Sequence, residues 1–178
     1  MRLNEQQRAL RDTLRRMTEE RIKPIAAEVD DSDRFPLEWK KLFGEMGLLQ
    51  MWVPEEYGGP GGDLVSVCIA KEETARGSLA ASTLACNNSI GLILPVLHFG
   101  TAAQKEKYLR LSAGGNVMAA VAMTEPQAGS DVAGMKTRAV RREDGHWVIN
   151  GQKNWITWGE VADFVFLFAK TGDGPPHE

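Results

Sequence analysis

An α+β fold with its helices and strands segregated is what three features of this sequence predict. Apolar residues recur at helical spacing as far as Gly114-Gly115, a strand-like alternation takes over beyond that pair, and the dipeptides Asp144-Gly145 and Asn150-Gly151 mark turns within the second part. The expected architecture is an all-helical bundle over residues 1–115 followed by an incomplete antiparallel β-barrel-like domain over residues 116–178. No internal repeat is present.

The first helix opens at Asn4, with Gln7 three positions on to complete a capping box, and carries Leu10, Leu14 and Met17 on one face. Pro24 should end or kink it. A second helix begins with Pro36 at its first position, shows Trp39, Leu42, Phe43 and Met46 at core spacing, and stops at Gly47. The run Pro54 to Gly62 is a loop by composition, and Asp63 caps a helix reaching about Arg76. A phosphate-binding reading of that glycine-rich loop is rejected, because no strand precedes it and no lysine stands at the required spacing. From Ser78 to about Phe99 apolar residues occupy more than one face, so a single helix, bent at Pro95, should sit inside the bundle. Thr101 and Gln104 form a second capping box ahead of a short helix that Gly114-Gly115 terminates. Strands are expected at 117–123, 136–140, 147–149, 152–157 and 164–169, with a turn-like polar tail over 170–178. The apolar strand Phe164 to Phe168 needs cover, because an open hydrophobic edge pairs promiscuously.

Composition narrows the function classes. A net charge of −3 and a pI near 5.7 argue against nucleic acid or an anionic membrane as partner. The densest basic spot, Arg138, Arg141 and Arg142, reads as a solvated hairpin tip. Cys68 and Cys86 lie in apolar runs without Cys-x-x-Cys spacing, which suits buried thiols in a reducing compartment and no metal site. The polar start, Met1 to Gln7, does not resemble a signal peptide, and the apolar run Leu84 to Leu97 is short and interrupted for a membrane span; a cytoplasmic location is expected.

Chemistry concentrates in Met123-Thr124-Glu125-Pro126-Gln127-Ala128-Gly129-Ser130-Asp131 and, further on, Asn150-Gly151-Gln152-Lys153 leading into Trp155-Ile156-Thr157. Glycine lets a main chain approach closely, and successive amides with a hydroxyl can close around a pyrophosphate. Singly, each piece is ordinary turn or packing chemistry. Together, in this order and after a helical part of this length, they resemble the acyl-CoA dehydrogenase family of flavoenzymes. The resemblance covers essentially the whole chain. It implies FAD as cofactor, with Val121, Ala122, Met123 and Thr124 along the flavin, Gly129 and Ser130 at the pyrophosphate, Trp155 and Ile156 at the ring and Thr157 at N5 or the C4 carbonyl. It also places Ser130 beside an acyl-CoA thioester, and Ser82, Thr83, Cys86 and Ile90 toward the acyl chain. Asp131 is expected to turn away and cap loop amides, and Glu125 to be structural. Two positions depart from the family pattern: Val121 stands where relatives carry an aromatic residue, and Trp158 where a small or amide residue follows Trp-Ile-Thr.

Further implications of the resemblance are dehydrogenation of an acyl-CoA to a trans-2-enoyl-CoA in fatty acid metabolism, electron-transfer flavoprotein as acceptor, and a homo- or hetero-oligomer. The family's C-terminal helical bundle, which supplies the catalytic carboxylate, is expected to be absent from this chain. No Asp or Glu of this chain is therefore assigned as catalytic, and a missing C-terminal half or complementary subunit is expected. Two alternative readings are a binding subunit of a hetero-oligomer and a flavin oxidase or monooxygenase on the same scaffold.

Overall fold

Asn4 begins the first helix through a reciprocal pair of hydrogen bonds: its Oδ1 accepts from the Gln7 amide at 2.8 Å, and Gln7 Oε1 accepts from the Asn4 amide at 3.1 Å. Two amides that the first turn leaves without helical partners are thereby satisfied. Helix α1 (Glu5–Met17) buries Leu14 and Met17. Pro24 does not end the helical run. The chain widens into a π-turn over Thr18–Ile22 and enters α2 (Lys23–Ser32) with Pro24 in its first turn, where a missing N–H costs little. The computed structural model describes residues 2–172 and 174; Met1 and the rest of the expected polar tail lie outside the described residues.

Helix α3 (Leu37–Glu45) starts one residue later than expected, with Pro36 as its cap. It stops in a Schellman turn at Gly47, whose φ of 78° suits a residue without Cβ, while the Leu48 amide donates to the Phe43 carbonyl at 2.8 Å. Gly44 earlier in this helix meets a different constraint: a Cβ there would lie 2.3 Å from the Gly115 carbonyl oxygen. Gly44→Ala is therefore expected to lower stability by about 1–3 kcal/mol despite alanine's better helix propensity. A urea midpoint at or above that of the parent chain would show that helix and turn separate freely.

Asp63 caps α4 (Leu64–Ala75) by accepting from the Ser66 amide at 2.7 Å. This helix turns Val67, Ile69, Ala70 and Glu73 inward and leaves Leu64, Cys68, Glu72 and Ala75 exposed, so Cys68 is not the buried thiol expected. Buried Glu73 receives both arms of Arg15 at 2.9 and 2.7 Å, which joins α4 to α1. Around that pair, Leu14, Ile22, Trp39, Phe43, Leu49 and Leu84 form the core of the bundle.

The single helix expected over 78–99 is instead broken in its middle. Helix α5 (Leu79–Leu84) ends at Ala85, Cys86 takes a left-handed φ of 59°, and a π-turn over Ser89–Ile93 leads into α6 (Leu94–Phe99). Pro95 falls harmlessly in the first turn of α6. Two tertiary demands produce the break. Lys71 Nζ donates to the carbonyls of Ser82 and Ala85 at 3.0 Å each, and the side chains of Asn87 and Asn88 bond to the backbone of the strand that comes after the bundle. The longer stretch Leu79–Phe99, which contains the apolar run Leu84 to Leu97, has the length and apolarity of a bilayer span, yet it is interrupted and more than half buried in the bundle. Thr101 and Gln104 make their capping box for α7 (Ala102–Ala113), and Gly115, at φ 69°, turns the chain out of the bundle.

Strand β1 (Ala119–Ala122) pairs in parallel with β4 (Phe164–Leu167), while β2 (Arg138–Arg141) and β3 (Trp147–Asn150) form an antiparallel hairpin across Gly145. The antiparallel expectation thus holds in the hairpin. Strands β1 and β4 run parallel because the intervening chain is a long crossover, which parallel pairing requires. The strand expected over 152–157 does not form. The small β part remains unclosed, with Lys170 bonded to the backbone of Thr137 and Ala139 at 2.8 and 2.9 Å.

Candidate functional site

Strand β1 runs out into Met123-Thr124-Glu125, and Glu125 sets the shape of the turn beyond it. It is only 4% exposed. Its carboxylate accepts from the Lys136 amide at 2.6 Å, the Thr137 amide at 2.9 Å, Gln127 Nε2 at 2.6 Å and Lys153 Nζ at 2.9 Å. Burial alone would push this carboxyl up, but the bonds from Lys153, Thr137 and Lys136 outweigh it and hold the group far below the usual carboxylate range. Glu125 is an ionised anchor. The Glu125 and Ala128 backbones also exchange hydrogen bonds at 2.9 and 3.1 Å, closing a tight turn that presents Gly129 and Ser130.

Both of those residues are exposed, and a Cβ at Gly129 would meet nothing within 4 Å. Among the described residues neither of their amides has an acceptor. Asp131 turns back to accept from the Gly134 amide at 3.2 Å, capping the short 3-10 turn Val132–Gly134.

The second segment is brought alongside the first. The Asn154 amide donates to the Thr124 carbonyl at 2.9 Å, and Lys153 Nζ donates to the Met123 carbonyl at 2.9 Å. Beyond this seam Trp155 takes φ 59° and Trp158 φ 60°, a left-handed backbone that costs a bulky residue about 1–2 kcal/mol. Trp155 breaks the extended path that a strand over 152–157 would need. Trp158 is compensated by packing, its ring meeting Phe35 edge-on at 5.3 Å between centroids. Trp155 has no such cover: it is 88% exposed. Thr157 is exposed as well, and Ile156 half-buried.

The structure therefore brings Met123 and Thr124 together with the lead-in to Trp155, Ile156 and Thr157, and holds Gly129 and Ser130 on a turn anchored by the same carboxylate. Val121 is half-buried on β1. Ala122 does not reach the surface; it is 3% exposed and its carbonyl accepts from the Phe168 amide. On the helical side, Thr83 and Ile90 are exposed, whereas Ser82 and Cys86 are not available to a ligand. Ser82 Oγ is committed to the Lys71 carbonyl at 3.0 Å. Cys86 lies 1% exposed with its sulfur 4.0 Å from that of Met51, and burial raises its thiol to about 11.

The sequence matches the family profile of the acyl-CoA dehydrogenase N-terminal domain over residues 4–116 and that of the acyl-CoA dehydrogenase middle domain over residues 120–178. The chain belongs to the acyl-CoA dehydrogenase family. Benzylmalonyl-CoA dehydrogenase of Aromatoleum aromaticum is 41% identical over 172 residues, which is 96% of this chain and 45% of that protein. The structure of a glutaryl-coenzyme A dehydrogenase in its glutaryl-CoA complex superposes with a TM-score of 0.86 at 34% identity, covering 97% of this chain and 44% of the other. An acyl-CoA dehydrogenase from Bacillus anthracis, complexed with FAD, gives a TM-score of 0.81 at 35% identity over 95% of this chain and 30% of the other. This chain spans less than half the length of the curated acyl-CoA dehydrogenase relatives it matches.

Sequence reasoning missed Lys153, which joins the two segments, and the two asparagines that tie β1 to the bundle. Lys153 was visible only as part of a lead-in to Trp155, and Asn87 and Asn88 only as interruptions of an apolar run. For the asparagines, an amide residue inside an otherwise apolar stretch was the signal to use, since such groups are buried only when paired; Lys153, in a polar run, carried no such signal.

Proposed function

We propose that this chain carries the flavin-binding and part of the acyl-binding surface of an FAD-dependent acyl-CoA dehydrogenase, which converts an acyl-CoA to its trans-2-enoyl-CoA. The observation that carries the reading is Trp155, an aromatic residue kept in a strained backbone and almost fully exposed, next to the Asn154 amide that is bonded to Thr124. Strain of this kind persists where the surroundings impose it, and it clusters at ligand sites.

The residues fit the cofactor. The amides of Gly129 and Ser130, with open space above Gly129, suit a diphosphate; the hydroxyls of Thr124 and Thr157 suit the polar edge of the ring; the Trp155 indole suits its apolar face and excludes water there. When bound, FAD supplies the two-electron acceptor for the substrate's β-hydride. Abstraction of the α-proton requires a free carboxylate, and neither Glu125 nor Asp131 is free, since both are committed to backbone amides. As the family resemblance implies, the proposed base comes from a C-terminal helical bundle or from a complementary subunit in an oligomer. Electron-transfer flavoprotein is the proposed acceptor and the cytoplasm the proposed location.

Thr83 and Ile90 are the proposed acyl-chain contacts. The Thr83 hydroxyl is already donated to the Ala80 carbonyl at 2.8 Å, so its methyl is what it offers, and a branched, cyclic or medium-length acyl group is the proposed substrate class.

Titrating the chain with FAD and monitoring flavin fluorescence tests the reading. Weak binding is expected, and Thr124→Val and Thr157→Val should each weaken it by about 3–10-fold, the worth of one hydrogen bond. An affinity weaker than about 1 mM, or one that neither substitution alters, would remove the basis for the proposal.

A further inference from the structure

We infer that Lys153 is a positioning residue for the flavin surface: one ammonium group holds the Met123 carbonyl and the Glu125 carboxylate, and so sets the Trp155 segment against the Thr124 segment. The inference rests on the proposed flavin reading for its purpose, but its geometry stands without it. The Lys153 side chain is 7% exposed and that of Glu125 is 2% exposed, so this ion pair is closed to solvent at 2.9 Å. Its second bond, to the Met123 carbonyl at 2.9 Å, lies one residue before the Thr124 carbonyl that accepts from Asn154.

Three consecutive residues of the first segment are thus gripped by two consecutive residues of the second. Immediately after the grip, the backbone turns left-handed at Trp155. A residue-by-residue tether at that point fixes where the indole emerges, since only one rotatable backbone unit separates it from the Asn154 bond. Glu125 is fixed in turn by the Lys136 and Thr137 amides, so the position of Lys153 is referred to the start of β2 and not to a loose loop. The ammonium carries three N–H donors, and the Met123 carbonyl takes one that the carboxylate leaves, so the same buried group that neutralises Glu125 also ties down the residue two before it. The structure assigns it both roles.

Lys153→Met and Lys153→Gln variants of the whole chain test this, read by amide hydrogen exchange and by FAD titration. Lys153→Met should raise exchange at the Asn154 amide by about tenfold or more while amides in α1 and α4 keep their protection, and should weaken FAD binding by a similar factor. Lys153→Gln, which retains a donor for the Met123 carbonyl, should fall between the two and serves if the methionine variant fails to fold. Unchanged exchange at Asn154 in the folded variant would overturn the inference. Raised exchange with undiminished FAD affinity would overturn it too. If the parent chain binds no FAD at all, the functional reading falls, and exchange at Asn154 alone then decides whether Lys153 positions the segment.

Discussion

Replacing Asn88 by leucine is expected to destabilise the chain by about 2–5 kcal/mol, the cost of leaving two buried backbone groups without partners. Asn88 is 0% exposed and both ends of its amide are in use: Nδ2 donates to the Val117 carbonyl at 2.8 Å, and Oδ1 accepts from the Ala119 amide at 2.9 Å. The side chain thus stands in for a neighbouring strand on the edge of β1 that β4 does not cover. Leucine matches its volume but offers neither donor nor acceptor, and water has no access to replace them. Asn88→Asp separates the two bonds, because it keeps an acceptor for the Ala119 amide while facing a carboxylate toward the Val117 carbonyl. Urea unfolding of both variants checks this. A midpoint for Asn88→Leu within error of the parent would mean that β1 does not depend on the bundle. Because β1 continues directly into Met123 and Thr124, loss of this bond should also loosen the proposed flavin surface at its root.

What could be read from the sequence and what could not divide along contact distance in the chain. The caps at Asn4, Asp63 and Thr101 were legible because a cap and its acceptor lie three residues apart, and the Gly47 stop because a left-handed residue is a local requirement. The break at Cys86 was not, since it arises from Lys71 on α4 and from a pair of asparagines reaching backbone about thirty residues away. Residues 152–157 were expected as a strand, but the Asn154 amide bonds instead to the Thr124 carbonyl and Trp155 turns left-handed, so tertiary structure overrode the local expectation. The motif residues Thr124, Gly129, Ser130, Trp155 and Thr157 were found through resemblance, and the structure puts Thr124 on one segment and Trp155 with Thr157 on the segment adjoining it. A structural role for Glu125 was legible, but its partner Lys153 was not, because an ion pair twenty-eight positions apart leaves no periodic trace. Ser82 and Cys86 failed as surface candidates for the same reason: a helix turned by Lys71 and the Asn pair directs them inward.

Glu125→Gln should cost about 3–5 kcal/mol at neutral pH, since it leaves the Lys153 ammonium buried without a counter-charge. The amide can still accept from one of the Lys136 and Thr137 amides, but its own NH2 must then face the other donor, so the turn loses a bond as well as a charge. The effect has a distinctive dependence on pH. A carboxyl whose folded pKa lies far below its ordinary value, near 4.5, stabilises the fold fully above that value, where the unfolded chain is ionised too. Below it the unfolded state takes up protons first, and the contribution declines as the pH falls toward the depressed folded pKa. The difference in stability between parent and Glu125→Gln should consequently be flat from about pH 8 to about pH 6 and shrink steadily below about pH 4.5. Urea midpoints of the two proteins, measured in parallel across that range, give the difference directly, and other carboxylates cancel because both chains carry them. A difference that persists undiminished to about pH 3 would show that the glutamine fails for its shape and not for its charge, and Glu125 would then be a steric plug in the turn and not its electrostatic anchor.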